Sequence, residues 1–160
     1  MPDISRIATH LWFRGDAKEA ADFYVSLIPD SRIVDCFTFH NAGPDQNSSY
    51  TSVTFDLAGQ RYMGLDKCPV DLNFATSISV ICETQSEIDR LWNGLLDGGA
   101  PQQCGWLTDK YGLSWQIVPS ILPGLFRDNS ESGRRAMDAM LSMVKLDIAA
   151  LQAAYDGIRD

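Results

Sequence analysis

Histidine and closely spaced cysteine are scarce in this sequence. It contains two histidines, His10 and His40, and no two of its four cysteines form a C-x-x-C pair. Zinc clusters depend on cysteine and histidine ligands at such short spacings, so the sequence argues against a cluster of this kind. We expect the cysteines, at positions 36, 68, 82 and 104, to be reduced thiols with structural roles.

Basic residues and long apolar runs are also few. The chain has 13 Lys and Arg against 21 Asp and Glu, which gives a net charge of −8. Nucleic-acid binding needs a basic patch, so we expect no nucleic-acid partner. No apolar run approaches the roughly 18 residues that a membrane span needs, and the first ten residues contain no apolar signal core. We therefore expect a cytoplasmic protein without a membrane partner.

The order of the predicted elements occurs twice. An alternating apolar pattern predicts a strand over residues 6–13, and Asp16, with Glu19 three residues later, predicts the cap of an amphipathic helix. A second strand pattern, over 76–82, precedes a helix that Ser86 can cap. Further strand patterns follow both helices, so we interpret the sequence as a degenerate repeat of a β-α-β-β-β unit.

The chain length of 160 residues suits a single domain built from two such modules. The patterns place the first module at residues 5–67, the second at 74–120, and a helical extension at 121–160. We expect two short helices in the extension, which cover a sheet edge or contribute to a dimer. Because they give the chain additional apolar surface to bury, we expect a homodimer. Their candidate apolar positions are Met137, Met140, Leu141 and Val144.

Strand side chains alternate between two faces, which separates core positions from candidate site positions. In the last strand, one face holds Leu113, Trp115 and Ile117, and the other holds Ser114, Gln116 and Val118. In the first strand, one face holds Ile7, Thr9, Leu11 and Phe13, and the other holds Ala8, His10 and Trp12. The first set of each strand is the predicted core face. Gln116 stands where a half-buried surface would accept valine, which indicates that its polarity has a use.

Three long phrases carry a resemblance to a known family. They are LWFRGDAKEAADFYVSLIPDSRI, QCGWLTDKYGLSWQIVP and MLSMVKLDIAALQAAY. Together with the repeated element order, they resemble the PhnB-like branch of the vicinal oxygen chelate superfamily, a branch often described as 3-demethylubiquinone-9 3-methyltransferase. The superfamily includes glyoxalase I, bleomycin-resistance proteins and extradiol dioxygenases. The resemblance implies an α+β fold: two βαβββ modules form a curved mixed sheet with an open cleft, and C-terminal helices follow.

The resemblance also implies where a divalent metal would lie, because relatives hold one with His and Glu side chains on the concave face. The implied positions are Ala8 or Thr9, Met63 or Gly64, Ser77, and Gln116, where metal-binding relatives have glutamate. These side chains are poor ligands compared with imidazole and carboxylate, so we expect no metal. The sequence also has no Gly-rich strand-to-helix loop that would cradle a nucleotide, and we expect no cofactor.

If the face of the first strand that holds Ala8 is the cleft face, His10 and Trp12 lie in the cleft. His10 is the best candidate for a catalytic proton-transfer group, and Trp12 is suited to stacking on a planar ligand. The alternative for His10 is a hydrogen-bonded histidine that lines a groove, and the alternative for Trp12 is packing against its own chain. Ser77, Ser79 and Gln116 would form a neutral polar patch that orients a ligand; the alternative for them is solvated strand surface.

Three further ligand-binding candidates have strong structural alternatives. Asp66 is a carboxylate that falls near the cleft, but Asp also favours strand-end turns. Cys104 and Trp106 belong to the family phrase QCGWL, where the cysteine is either a nucleophile activated by a base or a structural thiol. We assign Asp109 and Gly112 to the turn before the last strand.

The sequence therefore predicts a metal-independent protein that holds a small organic molecule and acts as a lyase or isomerase through His10. One alternative is a non-catalytic protein of the bleomycin-resistance type, which sequesters an aromatic or cationic compound. Another is a divalent-metal-dependent enzyme of the glyoxalase or dioxygenase type, in which Asp66, His10 and water hold the ion.

Overall fold

The chain divides into two compact units, Met1–Leu72 and Asn73–Asp160, of which a computed structural model describes residues 5–158. Each unit begins with the order β-α-β-β-β and builds one four-stranded mixed sheet. The α+β fold and the duplicated βαβββ order are therefore confirmed. The boundary falls between the two predicted modules, and the C-terminal extension belongs to the second unit.

The first unit has one helix on a sheet with strand order β1-β4-β3-β2. Its elements are β1 (Thr9–Trp12), α1 (Ala17–Leu27), β2 (Arg32–Ala42), β3 (Ser48–Leu57) and β4 (Gln60–Leu65). The Asp16 side chain accepts from the Glu19 backbone N–H at 2.9 Å, which confirms the predicted helix cap. β3 and β4 form a tight hairpin, where Ala58 and Gly59 both have positive φ, +47° and +85°.

The core of the first unit lies between α1 and the sheet. Tyr24 of α1 is fully buried, and its ring centroid lies 6.4 Å from that of Phe13 and 6.3 Å from that of Phe55. Leu11 is buried beside them, so the predicted core face of β1 is confirmed for Leu11 and Phe13, whereas Thr9, at the start of the strand, is exposed. The prediction for Ile7 is wrong: it is 86% exposed, because the strand begins only at Thr9 and does not carry Ile7 over the helix.

The second unit repeats this plan with the strand order β5-β8-β7-β6. Its elements are β5 (Ser77–Cys82), α2 (Gln85–Leu96), β6 (Ala100–Pro101), β7 (Trp106–Thr108) and β8 (Ser114–Pro119). The predicted cap of α2 is wrong, because Thr84, and not Ser86, accepts from the Glu87 backbone N–H. Thr84 with Glu87 has the spacing of a capping box, and Glu87 in turn accepts from the Glu83 backbone N–H.

Alternation along β8 places one set of side chains against α2. Leu113, Trp115 and Ile117 are fully buried, as predicted, together with Leu107 of β7. Asp109, in the turn between the strands, accepts hydrogen bonds from the Trp115 indole N–H at 2.8 Å and from the backbone N–H groups of residues 111 and 113. The assignment of Asp109 to turn geometry is confirmed, and the same carboxylate also anchors the largest buried side chain of the unit.

The extension contains three helices rather than two: α3 (Leu122–Phe126), α4 (Glu131–Leu141) and α5 (Ile148–Asp156). Their shared core consists of Leu125, Ala136, Leu146 and Leu151. Leu141 and Val144 are 57% and 39% exposed, so these two predicted apolar positions are wrong. α4 ends at Leu141, and the chain then turns so that Leu146 fills the core instead. Within residues 5–158, no helix is both long and apolar enough to cross a membrane.

Replacing Asp109 tests the anchoring of β8. Asp109→Ala leaves the buried Trp115 indole N–H and two backbone N–H groups without their acceptor, and we expect it to lower the free energy of unfolding by about 3 kcal/mol. Urea unfolding followed by tryptophan fluorescence measures this difference. Asp138→Ala, on the exposed side of α4, is the matched control. Equal unfolding midpoints for the two variants would contradict the anchoring role.

Candidate functional site

The face of the second sheet that points away from α2 is polar and uncharged. Gln116 of β8 stands between Ser79 of β5 and Trp106 of β7, and Ser114 stands between Ser77 and Thr108 in the next row. Gln102 follows β6 and extends the row of Gln116 and Trp106, because its backbone N–H donates to the Trp106 carbonyl. We call this surface the neutral face; it consists of Ser77, Ser79, Gln102, Trp106, Thr108, Ser114 and Gln116. No member carries a charge.

Hydrogen bonds fix the two glutamines of the neutral face. The Gln116 amide Nε2 donates to the Ser77 hydroxyl at 2.9 Å, and the Gln102 Nε2 donates to the Thr108 hydroxyl at 2.6 Å. Both glutamines are half-buried. Each amide therefore uses one donor on its own sheet, and among the described residues the Gln116 side chain has no other hydrogen bond. Its carbonyl oxygen can accept from a ligand.

Trp106 lies beside Gln116 on the neutral face. The two residues are directly paired across β7 and β8, which brings their Cβ atoms to about 4.5–5.5 Å of each other. The indole is half-buried, so one part of the ring packs on the sheet while another part is accessible. An aromatic ring next to a fixed amide can hold a planar molecule and orient its polar group.

The corresponding face of the first unit has a different character. His10 and Trp12 of β1 point away from α1, and Met63 and Leu65 are their neighbours on β4. The side chains of His10 and Trp12, the two site candidates on β1, are both exposed, and Trp12 is 46% exposed. Further aromatic side chains on this open face are Phe37, Phe39 and Tyr50. The predicted facing of His10 is confirmed, whereas its catalytic role stays a prediction.

One ion-pair cluster lies at the end of the open face of the first unit. Asp56 is 8% exposed and accepts hydrogen bonds from Arg61 and, at 3.2 Å, from Arg32. The Arg61 guanidinium, assisted by Arg32, holds the pKa of the Asp56 carboxyl below its usual range. Two cations around one carboxylate leave one net positive charge there.

The remaining sequence candidates have structural partners. Asp66 is 4% exposed and accepts from the Thr51 backbone N–H at 2.7 Å, so its carboxylate ties the end of β4 to β3. Cys104 is half-buried in the β6–β7 turn, with φ +60°, and its backbone N–H donates to the Met143 carbonyl. Burial raises the pKa of the Cys68 thiol, and that of Cys82 to about 11, as expected for structural thiols.

Sequence reasoning missed Gln102 and Thr108, although it found the other exposed members of the neutral face. A signal was present, because Trp106 was already a candidate and Gly105 before it favours a turn. Pairing the strands across that turn places Gln102 opposite Trp106, and alternation places Thr108 on the same side. β6 consists only of Ala100–Pro101, and two residues are too few to show the alternation that predicts a strand.

Comparison with known proteins identifies the family. A family model described as 3-demethylubiquinone-9 3-methyltransferase matches residues 5–118. The chain belongs to this family. A PhnB protein from Bacillus cereus with the same family description is 37% identical; the match covers 72% of this chain and 100% of that one, with a TM-score of 0.60. No curated protein matches the sequence.

A more distant neighbour supports the superfamily fold. FosX, a fosfomycin resistance protein from Listeria monocytogenes, is 12% identical, with a TM-score of 0.53 over 76% of this chain and 96% of that one. At this identity the likeness concerns the fold alone. The fold of the family is thus that of the vicinal oxygen chelate superfamily, as the sequence resemblance implied.

The metal positions that the superfamily implies are poorly matched in this family member. Thr9 and Gly64 lie on the α1 side of their strands, and a side chain at Gly64 would meet Val53 at 3.0 Å. Ala8 and Met63 are thus left for the open face, and neither provides oxygen or nitrogen. Residues 5–158 contain no group of three His, Cys, Asp or Glu side chains that could hold a metal ion. The donor set does not fit the superfamily metal.

Proposed function

We propose that this chain binds a small organic molecule on the neutral face of its second unit, without a metal ion. The observation that carries the proposal is the hydrogen bond between Gln116 and Ser77. It joins two of the implied metal positions as a neutral pair, and it leaves the Gln116 amide carbonyl, beside Trp106, without a hydrogen bond to the described residues. Small-molecule sites commonly combine an aromatic or apolar surface with a few fixed polar groups.

The chemistry of the neutral face selects its ligand. A carboxylate or ammonium group placed there would lose hydration without meeting an opposite charge, which is costly. A neutral amide, hydroxyl or carbonyl group can instead exchange hydrogen bonds with the Gln116 amide. We therefore expect a planar, uncharged compound whose ring lies against Trp106. Such a protein could sequester the compound without converting it, in the manner of the bleomycin-resistance proteins named in the superfamily.

We do not assign methyl transfer to this chain, although the family description names it. A nucleotide-like methyl donor is usually held by a Gly-rich loop between a strand and a helix. In this structure, residues 13–16 join β1 to α1, residues 83–84 join β5 to α2, and Gly15 is the one glycine in these connections. Neither connection resembles a nucleotide cradle.

Catalysis by His10 is the second candidate function. The His10 imidazole is exposed on the open face of the first unit beside Trp12. The other histidine, His40 of β2, forms a hydrogen bond with the Ser49 hydroxyl of β3 at 3.3 Å. An imidazole exchanges protons readily near neutral pH. A lyase or isomerase reaction in which His10 is the proton-transfer group, on a compound held at the open face of the first unit, fits this placement.

Removing the Gln116 amide tests ligand binding. Benzamide is a suitable probe, because it combines one flat ring with a neutral amide that can both donate and accept. We expect Gln116→Ala to weaken benzamide binding about tenfold, which corresponds to about 1.4 kcal/mol for one lost hydrogen bond. Titration calorimetry measures the dissociation constant. Gln60→Ala, at the exposed start of β4, should bind like the unaltered protein; equal losses in both variants would refute the assignment.

The two histidines provide a matched test of catalysis. General acid–base groups typically contribute about 10²–10⁴-fold in rate, so His10→Ala should slow the conversion of any compound that the protein transforms by at least about 100-fold. His40→Ala should leave the rate unchanged. Steady-state assays of purified variants measure both rates, and full activity in His10→Ala would end the catalytic role while leaving ligand binding intact.

A further inference from the structure

The C-terminal extension packs against one end of the neutral face. Val118 follows Gln116 by two positions on the same side of β8, and it packs against the extension core of Leu125, Ala136, Leu146 and Leu151. The family match ends at residue 118, and the PhnB protein from Bacillus cereus is fully covered by 72% of this chain. The extension therefore adds to the part that the family model describes.

Backbone contacts hold the extension on the turn that precedes Trp106. The N–H groups of Cys104 and Gly105 donate to the carbonyls of Met143 and Val144 at 2.9 and 2.7 Å. A Cβ at Gly105 would lie 3.0 Å from the Leu146 side chain and 2.8 Å from the Ile117 carbonyl. The absence of a side chain at Gly105 thus allows the extension and β8 to approach the turn from two sides.

Side chains of α2 provide a separate attachment. Gln85 accepts from the Ile148 backbone N–H at 2.8 Å and donates to the Leu146 carbonyl at 3.1 Å. One turn further along the helix, Asp89 pairs with Lys145 at 2.7 Å. Gln85 is half-buried, and its amide both accepts from and donates to the backbone of the segment between α4 and α5. The segment between α4 and α5 is therefore fixed at two sites, the turn and the helix start.

We propose that the extension is the end wall of the neutral face and determines the length of the ligand that the face accepts. This inference rests on the proposed function. Ser114 and Val118 are four residues apart, which is about 13 Å along an extended strand, and the wall closes the Val118 end. Ile81 of β5 is the strand partner of Val118 and is 65% exposed, so the extension does not cover β5 at this point. The wall therefore lies over β8 and the β6–β7 turn.

The wall predicts a specific selectivity. A one-ring neutral amide can lie between the Ser114 row and Gln116 with its ring on Trp106. A compound with two rings joined end to end, aligned with β8, would meet Val118 and the extension that packs on it. The protein should therefore prefer benzamide to biphenyl-4-carboxamide, although the second ring adds apolar surface that would otherwise strengthen binding.

The experiment compares these two amides in the full-length protein and in three variants by titration calorimetry. Leu146→Ala loosens the wall by leaving a cavity in its core, and Gln85→Ala releases its attachment without altering that core. Gln152→Ala, at an exposed position of α5 that bonds to Asp156, is the matched control. Circular dichroism checks folding, and hydrogen exchange at the Cys104 and Gly105 amides reports whether the segment has been released.

We expect the unaltered protein and Gln152→Ala to bind benzamide at least tenfold more tightly than biphenyl-4-carboxamide. Leu146→Ala and Gln85→Ala should reduce this preference tenfold or more, with faster exchange at both amides in Gln85→Ala. If the unaltered protein binds both amides equally well, the wall is refuted while the proposed function stands. The wall is also refuted if Gln85→Ala is folded and exchanges faster at both amides but keeps the full preference for benzamide. If neither amide binds the unaltered protein, the proposed function fails and the wall with it.

Discussion

The structure of the second unit depends on how β8 is held. Trp115 is fully buried, and its indole N–H is fixed by the carboxylate of Asp109, in the turn that leads into the strand. This bond sets which residues of β8 face α2. A slip of one residue would turn every side chain to the opposite face. The placement of Gln116 beside Ser77 and Trp106 is therefore a consequence of a core contact made one residue earlier.

The polar side chains on the open faces of the two sheets are satisfied by different kinds of partner. In the first unit, the buried Asp56 carboxylate is neutralised by Arg61 and Arg32, so charge is paired within the sheet. In the second unit, the polar groups are hydroxyls and amides that bond to one another. Gln116 has the length of a glutamate without its charge, so its partner can be the Ser77 hydroxyl rather than a cation or a metal ion. A neutral pair of this kind is cheaper to cover with a ligand than an ionised group.

Local patterns predicted most of the fold. Asp16 with Glu19 marks the start of α1, and alternation in β1 and β8 separates core from open faces, because these features depend on neighbouring residues alone. The errors in the predicted elements arose where two neighbouring residues suit the same role or where an element is very short. Ser86 and Thr84 both suit a cap, and the structure uses Thr84 because Glu87 stands three residues after it. α3 begins with Leu122 and Pro123 and is too short to show helical periodicity.

The candidate site was predictable only where it followed from a single strand. Gln116, Ser77 and Ser79 come from alternation, and the family resemblance added Trp106. Gln102 and Thr108 depend on pairing across the β6–β7 turn, which a two-residue strand does not announce. The packing of the extension on Val118 depends on contacts between residues distant in sequence, such as Gln85 with Ile148, and no local pattern contains them.

The central proposal is that this family member binds its ligand on the neutral face without a metal ion. The most direct measurement is calorimetric titration of the protein, purified without an affinity tag or chelator, with Mn²⁺, Ni²⁺ and Zn²⁺. Elemental analysis of the same preparation accompanies it. The account predicts no saturable binding and no stoichiometric metal. About one equivalent of tightly bound metal, lost on substitution of Gln116 by alanine, would contradict it.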